Sequence, residues 1–455
     1  MKRPRLSKIA AVLLILAAVS SCATRPDFYS KDKFVGNIWP DATEIGVFGT
    51  ELWSQITPAN AGKWESVEWT CGNMTWGNLD TAYARAKDRG LPFRLHTLVW
   101  GNQQPRWLSE LSKEDQRKEI EEWMSLLSQR YPEVDFIDVV NEPLHELPVY
   151  YEALGGKGKS GYEWVLESFR LARKYFPNAK LHLNDYNILK KINTAKQYAD
   201  IIRLLQSENL IDGVGLQTHF LEETKALTAK ACLDIVAETG LPLYITEFDV
   251  NIENDVLQAR KFAELFTLFY EYPRIEGITL WGAVEGRMWR RNGYLIKRNG
   301  EYRISMEWLQ DYLLGDRSYV LPEYVKPPRI GSGGVNRIEA ESFDEGRGVE
   351  AEETVLAYID GTDWVKYERI EMDPEYRTFR LRYSKGRGSA SRVQVFLDGN
   401  DSDEVLSFEL ENTGSWEDFR TLEFDWPATG GTRELTLKFA GAKNVANIDY
   451  LEFAK

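Results

Sequence analysis

The spacing of apolar residues changes character along the chain. From Glu44 to Leu314, short apolar runs rich in β-branched and aromatic residues alternate with longer stretches whose apolar positions recur every three or four residues. The short runs are Glu44–Gly49, Ser54–Pro58, Pro92–Val99, Asp135–Val140, Lys180–Asn184, Gly213–Gln217, Pro242–Thr246 and Gly277–Trp281. The longer stretches predict helices over Glu114–Tyr131, Tyr162–Tyr175, Ala195–Glu208, Ala226–Thr239, Val256–Tyr270 and Ser305–Leu314. Eight such alternations over roughly 280 residues fit the length of a (β/α)8 barrel of the α/β class. A doubly wound open sheet usually has fewer strands.

Beyond Tyr324 the pattern is different. Residues 325–335 hold two Pro and three Gly and read as a linker. From Asn336 onward the period is two, in Trp364–Tyr367, Thr378–Tyr383, Arg392–Leu397, Val405–Glu409, Thr421–Phe424, Glu434–Phe439 and Ile448–Phe453. Turn signals such as Asp398-Gly399-Asn400 separate the runs, and no helical period competes. Residues 336–455 are therefore expected to form an all-β sandwich of jelly-roll type, and residues 30–324 the barrel.

The first residues belong to neither domain. Lys2, Arg3, Arg5 and Lys8 precede an apolar run from Ile9 to Val19, too short to span a bilayer as a mature helix. Val19-Ser20-Ser21-Cys22 follows and resembles a bacterial lipobox, in which the peptide is cut before the Cys and the Cys is acylated. Residues 1–22 thus read as a lipoprotein signal with Cys22 as the anchor. That predicts an exported protein held on a membrane at the cell surface or in the periplasm. The plainer alternative is a secretory signal with an incidental Cys. Cys71 and Cys232 remain; they fall far apart in the barrel pattern and are expected to be unpaired thiols.

Composition narrows the partners. The chain has 455 residues, 43% hydrophobic and 28% charged, which suits a globular protein with a full core. A net charge of −14 would repel a phosphate polyanion, so nucleic acid is excluded as a natural partner, whereas a neutral polysaccharide meets no such penalty. The 15 Trp residues suit sugar stacking, although large cores also use Trp.

Polar and ionisable residues collect where the apolar runs of the barrel stop: Asn60 and Lys63, His96 and Trp100, Asn141 and Glu142, Asn184 and Asp185, Gln217 and His219, Glu247 and Asp249, and Trp281. In a barrel these points share the C-terminal face, where active sites are built. Glycoside hydrolysis needs two carboxyl groups, one protonated to serve the leaving oxygen and one ionised. With 70 acidic residues composition selects none, but position selects Glu142 and Glu247.

Ile137-Asp138-Val139-Val140-Asn141-Glu142-Pro143-Leu144 and Ile245-Thr246-Glu247-Phe248-Asp249-Val250 resemble the two active-site signatures of family 10 glycoside hydrolases, mostly endo-β-1,4-xylanases. Thr57 to Trp64, His96 to Trp100, Asn184 to Asn187, Gln217-Thr218-His219 and Trp281-Gly282 resemble further motifs of that family, in order, over residues 40–315. The resemblance implies retaining hydrolysis of xylan, with Glu142 as acid/base and Glu247 as nucleophile. It gives Asn141 as donor to the sugar 2-hydroxyl, and His219 with Asp249 as the chain that holds Glu247. It makes Asn60, Lys63, His96, Trp100 and Gln217 binders of the sugars on the non-reducing side, adds Asn184 to the substrate contacts, and makes Trp281 and Trp289 pocket walls. It needs no cofactor for catalysis, and no zinc-spaced cluster is present. Three departures bear on substrate detail: Ala59 stands where the family usually has Glu, Gly101 where it usually has His, and the loop Glu285 to Arg291 differs from the commonest family version.

Ile338 to Phe343, Tyr358 to Val365, Asn412 to Trp416 and Asn447 to Tyr450 resemble family 6 carbohydrate-binding modules. By that resemblance Tyr358 and Trp416 sandwich a sugar ring and Asn447 hydrogen-bonds it. Glu339, Glu341 and Asp449 become candidate oxygen ligands for one structural Ca²⁺, against the plainer reading of surface charge. The chain is expected to be a monomer whose partner is xylan or a xylo-oligosaccharide. The competing readings are a surface glycan-binding protein that no longer cuts, and a glycosidase for another β-1,4-glycan.

Overall fold

The computed structural model describes residues 33–39, 53–314, 317–326, 328–329, 335–352, 354–386, 391–399, 404–441 and 443–455. The expected signal segment, Cys22 and the run Glu44–Gly49 lie outside them. The chain divides into two compact units, Met1–Glu323 and Tyr324–Lys455.

The first unit is a barrel of eight parallel strands: β1 (Phe34–Ile38), β2 (Ile56–Thr57), β3 (Arg94–Trp100), β4 (Phe136–Asn141), β5 (Lys180–Asp185), β6 (Gly213–Leu216), β7 (Leu243–Phe248) and β8 (Ile275–Leu280). β1 pairs in parallel with both β2 and β8. A bridge from Ile56 to Phe93, with Ile56 N donating to Pro92 O at 3.1 Å, links β2 to β3 and closes the ring. The first strand is a correction: it is Phe34–Ile38, which the sequence pattern did not mark. Gly36 and Asn37 interrupt its apolar run, yet the barrel requires the glycine. A Cβ on Gly36 would stand 2.1 Å from Gln55 Oε1, which accepts the Thr279 hydroxyl across the barrel at 2.8 Å.

The helices are α1 (Trp64–Val67), α2 (Gly77–Asp88), α3 (Lys113–Arg130), α4 (Glu163–Tyr175), α5 (Ile192–Gln206), α6 (Ala226–Ala237), α7 (Asp255–Glu271) and α8 (Ile304–Leu314). Six match the predicted periods to within three residues at each end; α1 and α2 do not appear in the pattern. α3 starts where the Ser112 hydroxyl accepts from Asp115 N, and its buried stripe is Ile120, Trp123, Met124 and Leu127. α7 is capped by Asn254, which accepts from Val256 N and Leu257 N. No described helix is long and apolar enough to cross a membrane.

The second unit is a sandwich of two antiparallel sheets. Its strands are β9 (Val335–Glu339), β10 (Glu345–Arg347), β11 (Glu350–Glu352), β12 (Val355–Ala357), β13 (Trp364–Met372), β14 (Thr378–Ser384), β15 (Ser391–Leu397), β16 (Glu404–Leu410), β17 (Arg420–Asp425), β18 (Gly431–Ala440) and β19 (Asn447–Ala454). One sheet runs β10-β13-β18-β15-β16 and the other β11-β12-β19-β14-β17, with β9 added on β19. Tyr367, Phe379, Val393, Leu437 and Phe453 are part of the core between them.

The stretch expected as a free linker is partly built into this unit. Arg329 N donates to Arg369 O at 2.8 Å, Glu371 N donates to Arg329 O at 3.0 Å, and the Arg329 guanidinium reaches the Ser342 hydroxyl. Pro328 and the nearby glycines obscured this pairing in the sequence. Cys71 is exposed, Cys232 is buried, and neither is in a disulfide.

Candidate active site

The ends of the barrel strands surround a cleft of about 650 Å³. Asn60, Lys63, His96, Trp100, Asn141, Glu142, Gln217, His219, Glu247, Trp281 and Trp289 all line it, so eleven residues named from the sequence meet in one space.

Glu142 follows β4 directly. Its φ is +59°, a conformation that costs a non-glycine residue about 1–3 kcal/mol. The turn is held by Glu142 N donating to Asn184 O at 2.8 Å and by Glu146 N donating to Glu142 O at 2.8 Å. One carboxyl oxygen accepts from Trp100 Nε1 at 2.8 Å and the other from Gln217 Nε2 at 2.9 Å. Burial, the largest influence, pushes the Glu142 carboxyl above its ordinary value; the Gln217 hydrogen bond opposes this and the charge of Glu247 adds to it.

Glu247 lies within β7. Its Oε1 accepts from Asn184 Nδ2 at 2.8 Å, and its Oε2 lies 3.2 Å from His219 Nε2. His219 Nδ1 is 3.0 Å from Asp249 Oδ2. Burial would keep His219 neutral, but Asp249 and Glu247 together raise its value to about 9. The imidazolium then donates from Nε2 to Glu247 and forms an ion pair through Nδ1 with Asp249, which aligns Asp249, His219 and Glu247 in one chain. Asp249 is itself pinned: Trp289 Nε1 donates to its Oδ2 at 3.0 Å and Arg290 Nη1 to its Oδ1 at 2.8 Å. Against the effect of burial, His219 and Arg290 hold the Asp249 carboxyl below its ordinary value. The loop after β8 thereby supports Glu247 through two intermediaries.

The two glutamates are joined by a line of amides. Asn141 Oδ1 accepts from Gln217 Nε2 at 3.1 Å and from Asn184 Nδ2 at 2.9 Å. The same two nitrogens serve Glu142 and Glu247. Its oxygen is thus doubly occupied, which leaves the NH2 as the group Asn141 can offer a sugar in the cleft it lines.

Asn184 corrects the sequence reading. It was expected to touch substrate, but it is wholly buried and does not line the cleft. Its Nδ2 is shared by Asn141 and Glu247, and its Oδ1 accepts the Thr246 hydroxyl at 2.6 Å. It acts beneath the nucleophile. Asp249 is likewise buried behind His219.

On one flank Lys63 Nζ bonds Asn60 Oδ1 at 2.7 Å and Gln103 Oε1 at 2.6 Å, and sits 4.8 Å from the Trp100 ring centroid. His96 Nδ1 meets Asp138 Oδ2 at 3.0 Å, and Arg94 Nη1 meets Asp138 Oδ1 at 2.7 Å, all buried under the cleft. The fold also explains Gly101: a Cβ there would lie 2.7 Å from Glu146 O, so the loop after β4 occupies the space of any side chain. Sequence reasoning missed Gln103, Glu146 and Phe220, which lie on loops without a period, and gave Arg290 no role although its loop differs from the commonest family version. Tyr186, also at the cleft, was quoted within a motif but given no role.

On the sandwich, Tyr358 is 60% exposed. Val445 N donates to Ile359 O at 2.7 Å, Asn447 pairs with Ser384, and the Ser384 hydroxyl donates to Trp416 O at 2.6 Å. These links bring Tyr358, Trp416 and Asn447 to one end of the unit. Of the candidate calcium ligands, Glu341 Oε2 is buried with no hydrogen-bond partner among the described residues, and Glu339 is raised by burial and then by the charges of Glu341 and Asp449. Asp449 Oδ2 is already paired with Arg382 at 2.7 Å. One Asp449 oxygen is thus committed to Arg382, and the three acids do not bring one ligand atom each within 4.8 Å of one another, so as they stand they do not form a cation site.

Among the described residues one candidate ligating group does assemble, Glu68, Cys71 and Glu119, with atoms within 4.8 Å of one another. The Glu68 oxygens already accept from Trp64 Nε1 and Gly72 N, each at 2.8 Å.

Residues 33–311 match the model of glycosyl hydrolase family 10, and residues 339–455 match that of carbohydrate binding module family 6. Endo-1,4-beta-xylanase B of Cellvibrio japonicus is 42% identical over 279 residues, covering 61% of this chain. The match spans 45% of that relative's own length, a little under half. Endo-1,4-beta-xylanase 3 of Hypocrea jecorina is 30% identical over 242 residues, covering 52% of this chain and 68% of that relative. The structure of native xylanase 10B from Thermotoga maritima superposes with a TM-score of 0.57 at 22% identity, over 64% of this chain and 98% of that one, a likeness of fold.

Proposed function

The chain belongs to glycosyl hydrolase family 10, and from that premise we propose that it is a retaining endo-1,4-β-xylanase carrying a glycan-binding module. The observation that carries the reading is the pair of unlike glutamates. Glu142 is partly buried, raised and held by two N–H donors, while Glu247 is aimed by Asn184 and His219 and joined to Glu142 through Asn141.

In the first step Glu142 gives its proton to the leaving glycosidic oxygen as Glu247 attacks the anomeric carbon. The C–O bond to the leaving sugar breaks, and a glycosyl ester forms on Glu247. This requires the two carboxyls to stand about 5–5.5 Å apart. Asn141 donates to the 2-hydroxyl of the reacting sugar, and the His219 imidazolium stabilises the Glu247 carboxylate before attack and again as it leaves the ester. In the second step Glu142, now ionised, takes a proton from water, which attacks the anomeric carbon and releases Glu247. Two inversions give net retention.

The sandwich is proposed to hold xylan near the cleft through Tyr358, Trp416 and Asn447, raising the local concentration of substrate. A structural Ca²⁺ at Glu339, Glu341 and Asp449 would have to draw these acids together, and it would take no part in the reaction. Export as a lipoprotein anchored at Cys22 and a monomeric state complete the proposal.

The test is a panel of xylan, cellulose and mixed-linkage glucan, with the first product followed by proton NMR. Rapid release from xylan with the β-anomer appearing first supports the reading. Preference for another glycan moves the substrate, and an initial α-anomer refutes the mechanism.

A further inference from the structure

Trp69 is the most exposed Trp among the described residues, at 66%. Single exposed apolar side chains are common; what sets this one apart is the support beneath it. The preceding Glu68 is buried, and its carboxylate takes Trp64 Nε1 and Gly72 N, each at 2.8 Å. Trp107 Nε1 donates to Glu68 O at 3.3 Å, and Thr70 bridges to Asn73. Trp64 in turn lies flat on buried Trp123, with ring centroids 5.4 Å apart and planes 2° apart. The fold therefore fixes the backbone at Trp69 firmly and leaves the indole in water.

Trp69 does not line the cleft itself, but a short chain of contacts links the two. Lys63 and Gln103 line the cleft and bond each other. From them Glu65 N donates to Gln103 O at 3.1 Å, and Arg106 Nε lies 3.7 Å from Glu65 Oε1. The Arg106 guanidinium lies 5.7 Å from the Trp69 ring centroid, with its side chain 86% exposed. α1, which separates Lys63 from Glu68, is only about 6 Å long. The contacts start from the Asn60 and Lys63 flank of the cleft.

We propose that Trp69 is the platform of a distal sugar subsite, taking a further β-1,4-linked xylosyl ring of the chain on the non-reducing side. A pyranose offers a flat face of C–H groups to the indole, and its hydroxyl oxygens accept from Arg106, so one ring meets both an apolar surface and donors. The proposal rests on the xylanase reading above and adds to it a preference for longer chains.

The test measures kcat/KM of the full chain on xylotriose, xylotetraose, xylopentaose and xylohexaose, with Trp69→Ala and Trp69→Phe as variants. Trp69→Ala should lose about three- to tenfold on the longest oligosaccharide while matching wild type on the shortest, and Trp69→Phe should keep most of the gain with length. An unchanged rate at every length overturns the subsite. A uniform loss at every length also overturns it, because a structural role has no length dependence. A wild type inactive on all four sugars refutes the xylanase reading, and is told apart by the wild-type rates alone.

Discussion

The cleft of the barrel and the candidate glycan face of the sandwich use water in opposite ways. In the cleft Asn141, Gln217, His219 and Glu247 are buried and hydrogen-bonded to one another. On the sandwich Tyr358 stands largely in solvent and Trp416 is partly exposed. The difference follows from the task. Stabilising charge as a bond breaks needs donors already aimed in a dry site, where each is worth more than in water. Holding a polymer needs only a flat surface that a sugar can reach. Damage to the cleft should therefore stop chemistry and spare attachment, and damage to the sandwich face should do the reverse.

The largest effect expected short of removing the nucleophile is from Glu142→Ala, which should cut the rate on xylan by about 10²–10⁴-fold. An aryl xylobioside with an activated leaving group needs little protonation and should be cut far less. Equal loss on both substrates would break the assignment of Glu142 as the acid.

Asn184→Ala sharpens the distinction between touching sugar and aiming a carboxylate. Displacing Glu247 and Asn141 should lower kcat by about 10²-fold with little change in KM. A raised KM with kcat intact would return Asn184 to the sugar contacts.

The buried chain also links pH to folding. The folded value of His219, about 9, lies above its ordinary 6.5. The associated stability is thus complete below about pH 6.5 and is lost as pH rises through about 9, on the order of 3 kcal/mol in all. Urea unfolding at pH 6.5 and 9.5 should show a larger fall for wild type than for His219→Gln; parallel falls would contradict the charge assigned to His219.

The smallest effect on chemistry belongs to the sandwich. Tyr358→Ala with Trp416→Ala should weaken retention on insoluble xylan by about tenfold and leave rates on soluble oligosaccharides unchanged. A change in those rates would mean that the two regions do not divide the work in this way.

Much of this division was legible in the sequence, for physical reasons. An apolar run that stops at a polar pair marks a strand end, and a barrel gathers all such ends on one face. That is why Asn60, His96, Glu142, Gln217 and Glu247 could be named together. Depth was not legible: Asn184 has the residue type and place of a sugar binder, and only packing shows that it faces the underside of Glu247. Residues on loops, such as Arg290 and Glu146, carry no period to betray them. β1 escaped because Gly36 and Asn37 interrupt its apolar run, while one of its partners, β8, comes from the far end of the barrel sequence. In the sandwich the long strands showed their alternation, whereas β10, β11 and β12 have three residues each and are too short to show one.

The central claim is that Glu247 attacks xylan with Glu142 as its acid. It is tested most directly by reducing-sugar release from glucuronoxylan and arabinoxylan, comparing the chain without residues 1–22 with its Glu247→Ala variant. The account predicts rapid release by the first and none above background by the second, with both folded by circular dichroism. Substantial release by the variant, or none by the folded wild type, would contradict it.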